Sequence, residues 1–178
     1  DGRADRDLRP AVARYRTRIE VAAAVNRTDT DPSIAWDETG RGEPALLCLP
    51  GWCSDRGIYT DFARLAAPHR RTLTLDWRGH GDSAPAGGEF GQDELVEDAL
   101  AVIAASGATH IVPVANAHAG WVAIELRRRL GARVPALVLL DWLVLEAPLP
   151  FLGALAGLQD PQQWAATREQ LFAMWLAD

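Results

Sequence analysis

Lysine is absent from this chain of 178 residues, and all 18 of its basic residues are arginine. We attribute that bias to codon usage, and it implies no particular function. The arginines are outnumbered by 24 acidic residues, and the net charge of −6 argues against a surface for nucleic acid or for an anionic membrane. Apolar runs are all short, so we expect neither a membrane span nor a secretion signal.

Cysteine and methionine are also scarce. The two cysteines, Cys48 and Cys53, fit neither a C-x-x-C motif nor a set of zinc ligands. Cys48 lies in an apolar run and is expected to be buried, so a reduced, cytoplasmic setting is the default expectation. The only methionine is Met174. We therefore expect residue 1 to be a processed or truncated end, and the other end to be incomplete as well.

Strand-like and helix-like stretches alternate along most of the chain. Residues 1–18 are rich in charge and are expected to form a poorly ordered leader. The predicted strands cover 18–25, 33–37, 45–49, 71–76, a run that begins at Ile111, and 136–140. The predicted helices cover 92–106, 121–130 and 146–178, the last with a break at Asp160-Pro161, and helical spacing also links Ile58, Phe62, Leu65 and Ala66. This alternation predicts a mostly parallel sheet with helices on both faces.

Some of these stretches also carry a prediction about burial. The runs 45–49 and 136–140 are continuously apolar, which is typical of strands buried on both faces. Helix 92–106 is amphipathic, and Gly107 can end it. Its expected buried face consists of Leu95, Ala99, Val102 and Ile103.

A sharp turn is predicted between the run from Ile111 and the helix that follows. The small residues Ala115-Asn116-Ala117-His118-Ala119 lie there, in the frame of the G-x-S-x-G turn. In α/β-hydrolase folds that turn lifts a nucleophile above the sheet and is called the nucleophile elbow. The residue at its tip is Ala117, which has no nucleophilic atom.

Unusual residues follow three of the predicted strands. Gly51-Trp52 follow one, Ala117-His118 follow another, and Asp141 follows a third. Ligands bind at the carboxyl ends of the strands in an open parallel sheet. An oxyanion hole of the hydrolase type would use the backbone N–H groups of Trp52 and His118, which do not depend on a serine side chain.

A wider set of motifs resembles one subgroup of the α/β-hydrolase superfamily, the cofactor-free 3-hydroxy-4-oxoquinoline and 3-hydroxy-4-oxoquinaldine 2,4-dioxygenases. The resemblance covers roughly Ile34 to the last residue. Its motifs are Pro50-Gly51-Trp52-Cys53, Trp77-Arg78-Gly79-His80-Gly81, Phe90-Gly91, Asp98-Ala99-Leu100, His118-x-Gly120-Trp121-Val122, Asp141-Trp142-Leu143, Asp160-Pro161-x-x-Trp164 and Leu171-Phe172-x-x-Trp175-Leu176.

The resemblance implies an α/β-hydrolase core over 19–145 and the start of a helical cap over 146–178. It also implies a reaction in which an N-heteroaromatic ring is cleaved by O₂ with loss of carbon monoxide, without metal or other cofactor. A histidine base would take the proton of the substrate's 3-hydroxyl, and Asp141 would orient that base. The Trp52 and His118 amides would hold a substrate oxygen, and Trp142 and Trp175 would line an aromatic pocket.

The chain departs from that family in three places within the site. Ala117 replaces the elbow serine, Asn116 replaces a residue that is usually histidine, and Ser54 replaces another histidine. The resemblance also implies a base histidine that none of His69, His80, His110 and His118 matches. We expect the last two strands and the loop with that base to lie outside this chain, and these 178 residues alone to be inactive and poorly stable.

Other interpretations of these residues stay open. Ser54 could be a helix N-cap and Asp141 a cap or a solvated strand end. We interpret Trp36, Trp77 and Trp121 as packing residues of the core or the surface and not as residues of a pocket. One alternative function is an ester or amide hydrolase, although both steps of acyl transfer need the hydroxyl that Ala117 lacks. Another is a non-catalytic relative that binds a ligand.

Overall fold

The computed structural model describes residues 25–141 and 149–175. The chain divides into two compact units, Asp1–Leu140 and Asp141–Asp178. The predicted leader 1–18 lies outside the described residues, and so does the predicted strand 18–25 apart from Val25. Within the described ranges, no helix is both long enough and apolar enough to span a membrane.

The first unit is built on a six-stranded mixed sheet. Its order is β1-β2-β4-β3-β5-β6. Strands β4, β3, β5 and β6 are parallel, whereas β2 runs antiparallel to β4 and β1 antiparallel to β2. The strands are β1 Asn26–Arg27, β2 Ala35–Thr39, β3 Ala45–Leu49, β4 Thr72–Leu75, β5 Ile111–Asn116 and β6 Val138–Leu140. The prediction of a mostly parallel sheet is confirmed.

Helices connect the parallel strands, as predicted. In the first unit they are α1 Thr60–Ala66, α2 Gln92–Ser106 and α3 Ala119–Leu130, with 3₁₀ turns at Arg56–Tyr59 and Gly131–Arg133. The second unit contains α4 Leu149–Gln159 and α5 Trp164–Trp175. The gap between α4 and α5 confirms the predicted break at Asp160-Pro161.

The core lies between β3, β4, β5 and the helices beside them. Four residues of β3 are buried, as its apolar run predicted. The predicted face of α2 is buried as well, through Leu95, Ala99, Val102 and Ile103. Gly107 ends α2 with φ of 67°, a left-handed conformation that glycine adopts without steric cost.

The helical spacing noted from Ile58 to Ala66 matches the 3₁₀ turn and α1, but its apolar residues do not form the buried face. Ile58, Phe62 and Leu65 are exposed, and the buried residues are Tyr59 and Ala63. The Tyr59 hydroxyl lies 3.0 Å from the Leu49 carbonyl and 3.1 Å from the Val114 carbonyl. These tertiary contacts set the rotation of the short helix, and the spacing of apolar residues does not.

The predicted burial of β6 is wrong. The strand is shorter than 136–140, and Val138 and Leu140 are exposed. The physical reason is its position, since β6 is the last strand in the order of the described sheet and pairs with β5 alone. Among the described residues β6 therefore has a neighbouring strand on one side only, although its apolar residues resemble those of a central strand.

Candidate active site

The chain makes the predicted sharp turn between β5 and α3. Ala117 lies at its tip with φ of 49°, in the left-handed region that residues with a side chain rarely adopt. The Ala117 N–H donates to the Leu140 carbonyl over 2.9 Å, and the Gly120 N–H donates to the Ala117 carbonyl over 3.0 Å. The backbone therefore has the strained geometry of an elbow, although the side chain carries no nucleophile.

The turn after β3 comes very close to this elbow. Leu49 pairs with Ala115 in the parallel register, which places Gly51 beside Ala117. A Cβ atom added to Gly51 would lie 2.7 Å from Asn116 Oδ1 and 3.5 Å from the Ala117 Cβ. Only glycine fits there without displacing Asn116. The structure thus brings together the two strand ends that the sequence singled out.

The two predicted oxyanion amides belong to these adjoining turns. Among the described residues, neither the Trp52 N–H nor the His118 N–H donates to a protein acceptor. Trp52 is exposed, and His118 precedes the first residue of α3. Free N–H groups at a turn and at a helix start can hold a developing negative charge. Their role as an oxyanion hole stays a prediction.

Ser54 does not cap a helix. The side chain that caps the 3₁₀ turn Arg56–Tyr59 is that of Asp55, which accepts from the Gly57 N–H over 2.8 Å. The Ser54 N–H donates to the Gly51 carbonyl over 3.3 Å and closes the turn around Trp52. The N-cap interpretation of Ser54 is therefore wrong, and contact with a substrate stays a prediction.

The His118 side chain is not suited to act as a strong base. Its Nδ1 atom is buried and has no hydrogen-bond partner among the described residues. Burial lowers the pKa of His118, and neighbouring His80 lowers it further, which favours the neutral form of the ring. His80 itself is held in its loop, with Nδ1 lying 3.1 Å from the Arg78 carbonyl.

The loop after β4 is structural and supports the turn after β3. The indole N–H of Trp77, a fully buried residue, donates to the Pro50 carbonyl over 2.9 Å. Arg78 forms an ion pair with buried Asp98 over 2.6 Å and so joins the loop to α2. Trp36 is buried too, as packing in the core predicts, and Trp121 lies at the surface.

Sequence reasoning missed two residues of this support, Asp76 and Arg56. The Asp76 side chain is fully buried and pairs with the Arg56 guanidinium. The signal was present, since an aspartate that ends a buried strand needs a partner to offset the loss of hydration. Nothing in the local sequence names that partner, which lies 20 positions away along the chain.

The remaining predicted site residues lie in or near the second unit. Asp141 follows β6 directly, is exposed and has a φ of 49°. Trp142 lies outside the described residues. Trp175 ends α5, and its side chain is likewise outside the described part. The roles predicted for these three residues stay predictions.

Neither cysteine forms a disulfide, and burial raises the pKa of the Cys48 thiol to about 12. Over residues 25–141 and 149–175, no three His, Cys, Asp or Glu side chains lie close enough together to hold a metal ion.

A family model described as alpha/beta hydrolase fold matches residues 44–173. The chain is 39% identical over 153 residues to the 2-heptyl-3-hydroxy-4(1H)-quinolone dioxygenase of Mycobacteroides abscessus, covering 85% of this chain and 57% of that protein. It is 35% identical to the 1H-3-hydroxy-4-oxoquinoline 2,4-dioxygenase of Pseudomonas putida, covering 74% of this chain and 50% of that protein. The chain thus spans about half the length of these curated relatives.

Solved structures give the same result. A structure of AqdC, described as recognising and cleaving the ring of the Pseudomonas quinolone signal, matches with a TM-score of 0.79 at 37% identity, over 85% of this chain and 58% of that one. The structure of 1H-3-hydroxy-4-oxoquinoline 2,4-dioxygenase matches with a TM-score of 0.72 at 32% identity, over 88% and 58%. A Thermogutta terrifontis esterase, at 24% identity, shares the fold. The predicted resemblance is confirmed.

Proposed function

Because this chain belongs to the α/β hydrolase fold family, we propose that its protein is a cofactor-independent dioxygenase that cleaves a 3-hydroxy-4-oxoquinoline ring with O₂ and releases carbon monoxide. The likeness to the quinolone dioxygenases carries this proposal, since it spans 85% of the chain. The elbow supports it. Ala117 keeps the left-handed backbone of a nucleophile elbow without the hydroxyl that acyl transfer requires.

The proposed chemistry needs a base and an anion site, and it needs no covalent intermediate on the protein. Deprotonation of the 3-hydroxyl makes the ring electron-rich enough to react with O₂. The Trp52 and His118 amides would hold the negative oxygen of that anion. Asn116 and Ser54 flank these amides and would contact the same substrate. Ala117 would pack beside it.

The base is assigned to a histidine outside these 178 residues. His69 and His110 precede β4 and β5, and so lie at the opposite edge of the sheet from the elbow. His80 is engaged with the Arg78 carbonyl, and burial lowers the pKa of His118. In this proposal Asp141 orients the base, Trp142 and Trp175 line the pocket, and the cytoplasm is the setting.

The test uses the product of the complete reading frame with a 2-alkyl-3-hydroxy-4-quinolone, air and a metal chelator. We expect substrate absorbance to fall while carbon monoxide, trapped by reduced haemoglobin, accumulates in equal amount. Asp141→Asn should lower kcat roughly 100-fold or more, because the base loses its orienting charge. Asp160→Asn is the matched control and should leave turnover unchanged. Loss of substrate without carbon monoxide would overturn the proposal.

Two other results would point to the alternative functions. Hydrolysis of a nitrophenyl ester that disappears in Asp141→Asn would favour a hydrolase. Tight quinolone binding without turnover would favour a non-catalytic relative, and restored turnover in Ala117→Ser would then show that the scaffold is still competent.

A further inference from the structure

The Trp52 segment, residues 50–56, is held at both ends by the two residues that follow β4. At its start, the Pro50 carbonyl accepts the Trp77 indole N–H over 2.9 Å. At its end, the Arg56 N–H donates to Asp76 Oδ1 over 2.7 Å. Asp76 and Trp77 are adjacent in sequence. A single dipeptide therefore fixes the entry and the exit of the turn that carries the Trp52 amide.

The Arg56 side chain strengthens the exit contact with charge. Its guanidinium pairs with the fully buried Asp76, with Asp37 over 2.7 Å and with Asp82 over 2.8 Å. Burial by itself would lower the pKa of Arg56, but the hydrogen bonds to Asp37 and Asp82 and the charge of Asp76 raise it above its usual value. The cation is thus retained inside a ring of three carboxylates.

The loop after β4 closes over this ion pair. The Asp82 N–H donates to Asp76 Oδ2 over 2.8 Å, and the Ser83 hydroxyl donates to the Asp76 carbonyl over 2.7 Å. Gly81 has φ of +48°, and a Cβ there would lie 2.2 Å from Asp76 Oδ2. The glycine lets the backbone cover the carboxylate. Excluding water in this way strengthens the attraction between Asp76 and Arg56.

We propose that Arg56 is a positioning residue, which holds the Trp52 N–H in place for the substrate oxygen through its contact with buried Asp76. Arg56 need not touch the substrate for this role. A donor that stabilises a developing oxyanion must be fixed before the reaction, and loss of one such donor costs roughly 100- to 1,000-fold in kcat. This inference rests on the proposed function, in which the Trp52 amide binds the anion.

The test compares two arginines that are equally embedded in ion pairs. Arg56 is 14% exposed and Arg71 is 16% exposed, and Arg71 pairs with Glu38 and Glu43 at the start of β4, the opposite end of that strand. In the complete gene product, we expect Arg56→Met to lower kcat roughly 10- to 100-fold with KM changed less than about 3-fold. Arg71→Met should leave kcat within about 2-fold.

Amide hydrogen exchange supplies a readout that does not depend on turnover. Peptides covering residues 50–57 should exchange faster in Arg56→Met, while peptides covering β5 should exchange as in the native protein. In Arg71→Met the 50–57 peptides should be unaffected. Arg56→Lys keeps the charge without the planar fork, so its kcat and its exchange should both be intermediate. It also serves as the second variant if Arg56→Met does not fold.

Equal effects of the two methionine variants on kcat and on exchange would overturn the positioning role, and so would unchanged exchange of residues 50–57 in both Arg56 variants. If the native protein turns over no quinolone, the proposed dioxygenase function fails. The exchange experiment would then still decide whether Arg56 fixes the Trp52 segment.

Discussion

The parallel strands all begin on one side of the sheet and all end on the other, and we call these sides the starting edge and the ending edge. The turns at the two edges differ in the residues that take positive φ. At the edge where the parallel strands begin, residues with positive φ are glycines, among them Gly40, Gly107 and Gly131. At the edge where they end, the loop after β4 uses glycines as well, but the turns after β3 and β5 place Cys53 and Ala117 at φ of 59° and 49°. Glycine makes such turns without strain, whereas a residue with a Cβ costs about 1–3 kcal/mol. Strain is thus retained at the edge where the candidate site lies.

Paired carboxylates lie at both edges, Glu43 at the start of the strands and Asp76 at their end, and the His118 ring beside the elbow is different. At the starting edge, burial alone would raise the pKa of Glu43, but hydrogen bonds from the His110 and Thr109 amides and the charge of Arg71 lower it. At the ending edge, the buried Nδ1 of His118 has no partner among the described residues. A paired carboxylate contributes stability, and an unpaired buried nitrogen lowers it. The following predictions test this contrast, from the largest expected effect to the smallest.

Gly40→Ala should produce the largest loss of stability. Its Cβ would lie 2.1 Å from the Arg70 carbonyl oxygen, a backbone atom that cannot move aside, and φ is +68°. We expect a loss of roughly 3 kcal/mol or more in the free energy of unfolding, measured in urea. Gly42→Ala is the control, since φ there is +98° but nothing lies within 4 Å. It should cost only about 1 kcal/mol.

Gly51→Ala should affect turnover more than stability. Its Cβ would meet a side-chain atom, Asn116 Oδ1, at 2.7 Å, and that side chain can rotate. We expect a stability loss of about 1 kcal/mol with a fall in kcat of roughly 10-fold, because the Trp52 amide is displaced. Unchanged kcat would argue that the distance between the two turns is irrelevant to function.

Ala117→Gly should relieve strain at the elbow. We expect the free energy of unfolding to rise or to stay within about 1 kcal/mol of the native value, since relief of the positive φ offsets the entropy of a more flexible unfolded chain. The control is Ala119→Gly at the start of α3, which should destabilise by about 1 kcal/mol. Both values come from urea unfolding. A marked loss in Ala117→Gly would contradict the assignment of strain.

The smallest effect concerns pH. Burial lowers the pKa of His118, so as pH falls through the ordinary histidine value the unfolded state binds a proton before the folded state does. Stability is therefore lost on acidification and is constant above that value. His118→Asn should melt with a weaker pH dependence than the native protein between about pH 8 and about pH 5. Identical slopes would show that His118 does not contribute.

The sequence predicted the elements whose residue pattern depends only on neighbours along the chain. β3 and α2 have the bounds that their apolar run and amphipathic spacing indicate. The inward face of α1 could not be predicted, because the Tyr59 hydroxyl contacts carbonyls of two strands that are distant in sequence. The exposure of β6 depends on its place in the sheet, and a residue pattern does not encode that place.

Like the fold, the candidate site could be predicted from the sequence only in part. The approach of Gly51 to the Asn116–Ala117 turn followed from the rule that parallel strands end at one edge. The link between Arg56 and Asp76 could not be predicted from that rule. Its three carboxylates come from β2, from the residue after β4 and from the loop that follows. Contacts of this kind exist only once the sheet has formed.

The backbone geometry of the elbow also bears on how residue 117 can be substituted during evolution. The Ala117 backbone is set by its bonds to Leu140 and Gly120, and neither bond involves the side chain. The turn therefore keeps its geometry whichever small residue occupies the tip. A lineage with this turn could lose a serine or regain it in a single substitution without a change of the scaffold. The identity of residue 117 is therefore a poorer guide to ancestry than the backbone conformation of the turn.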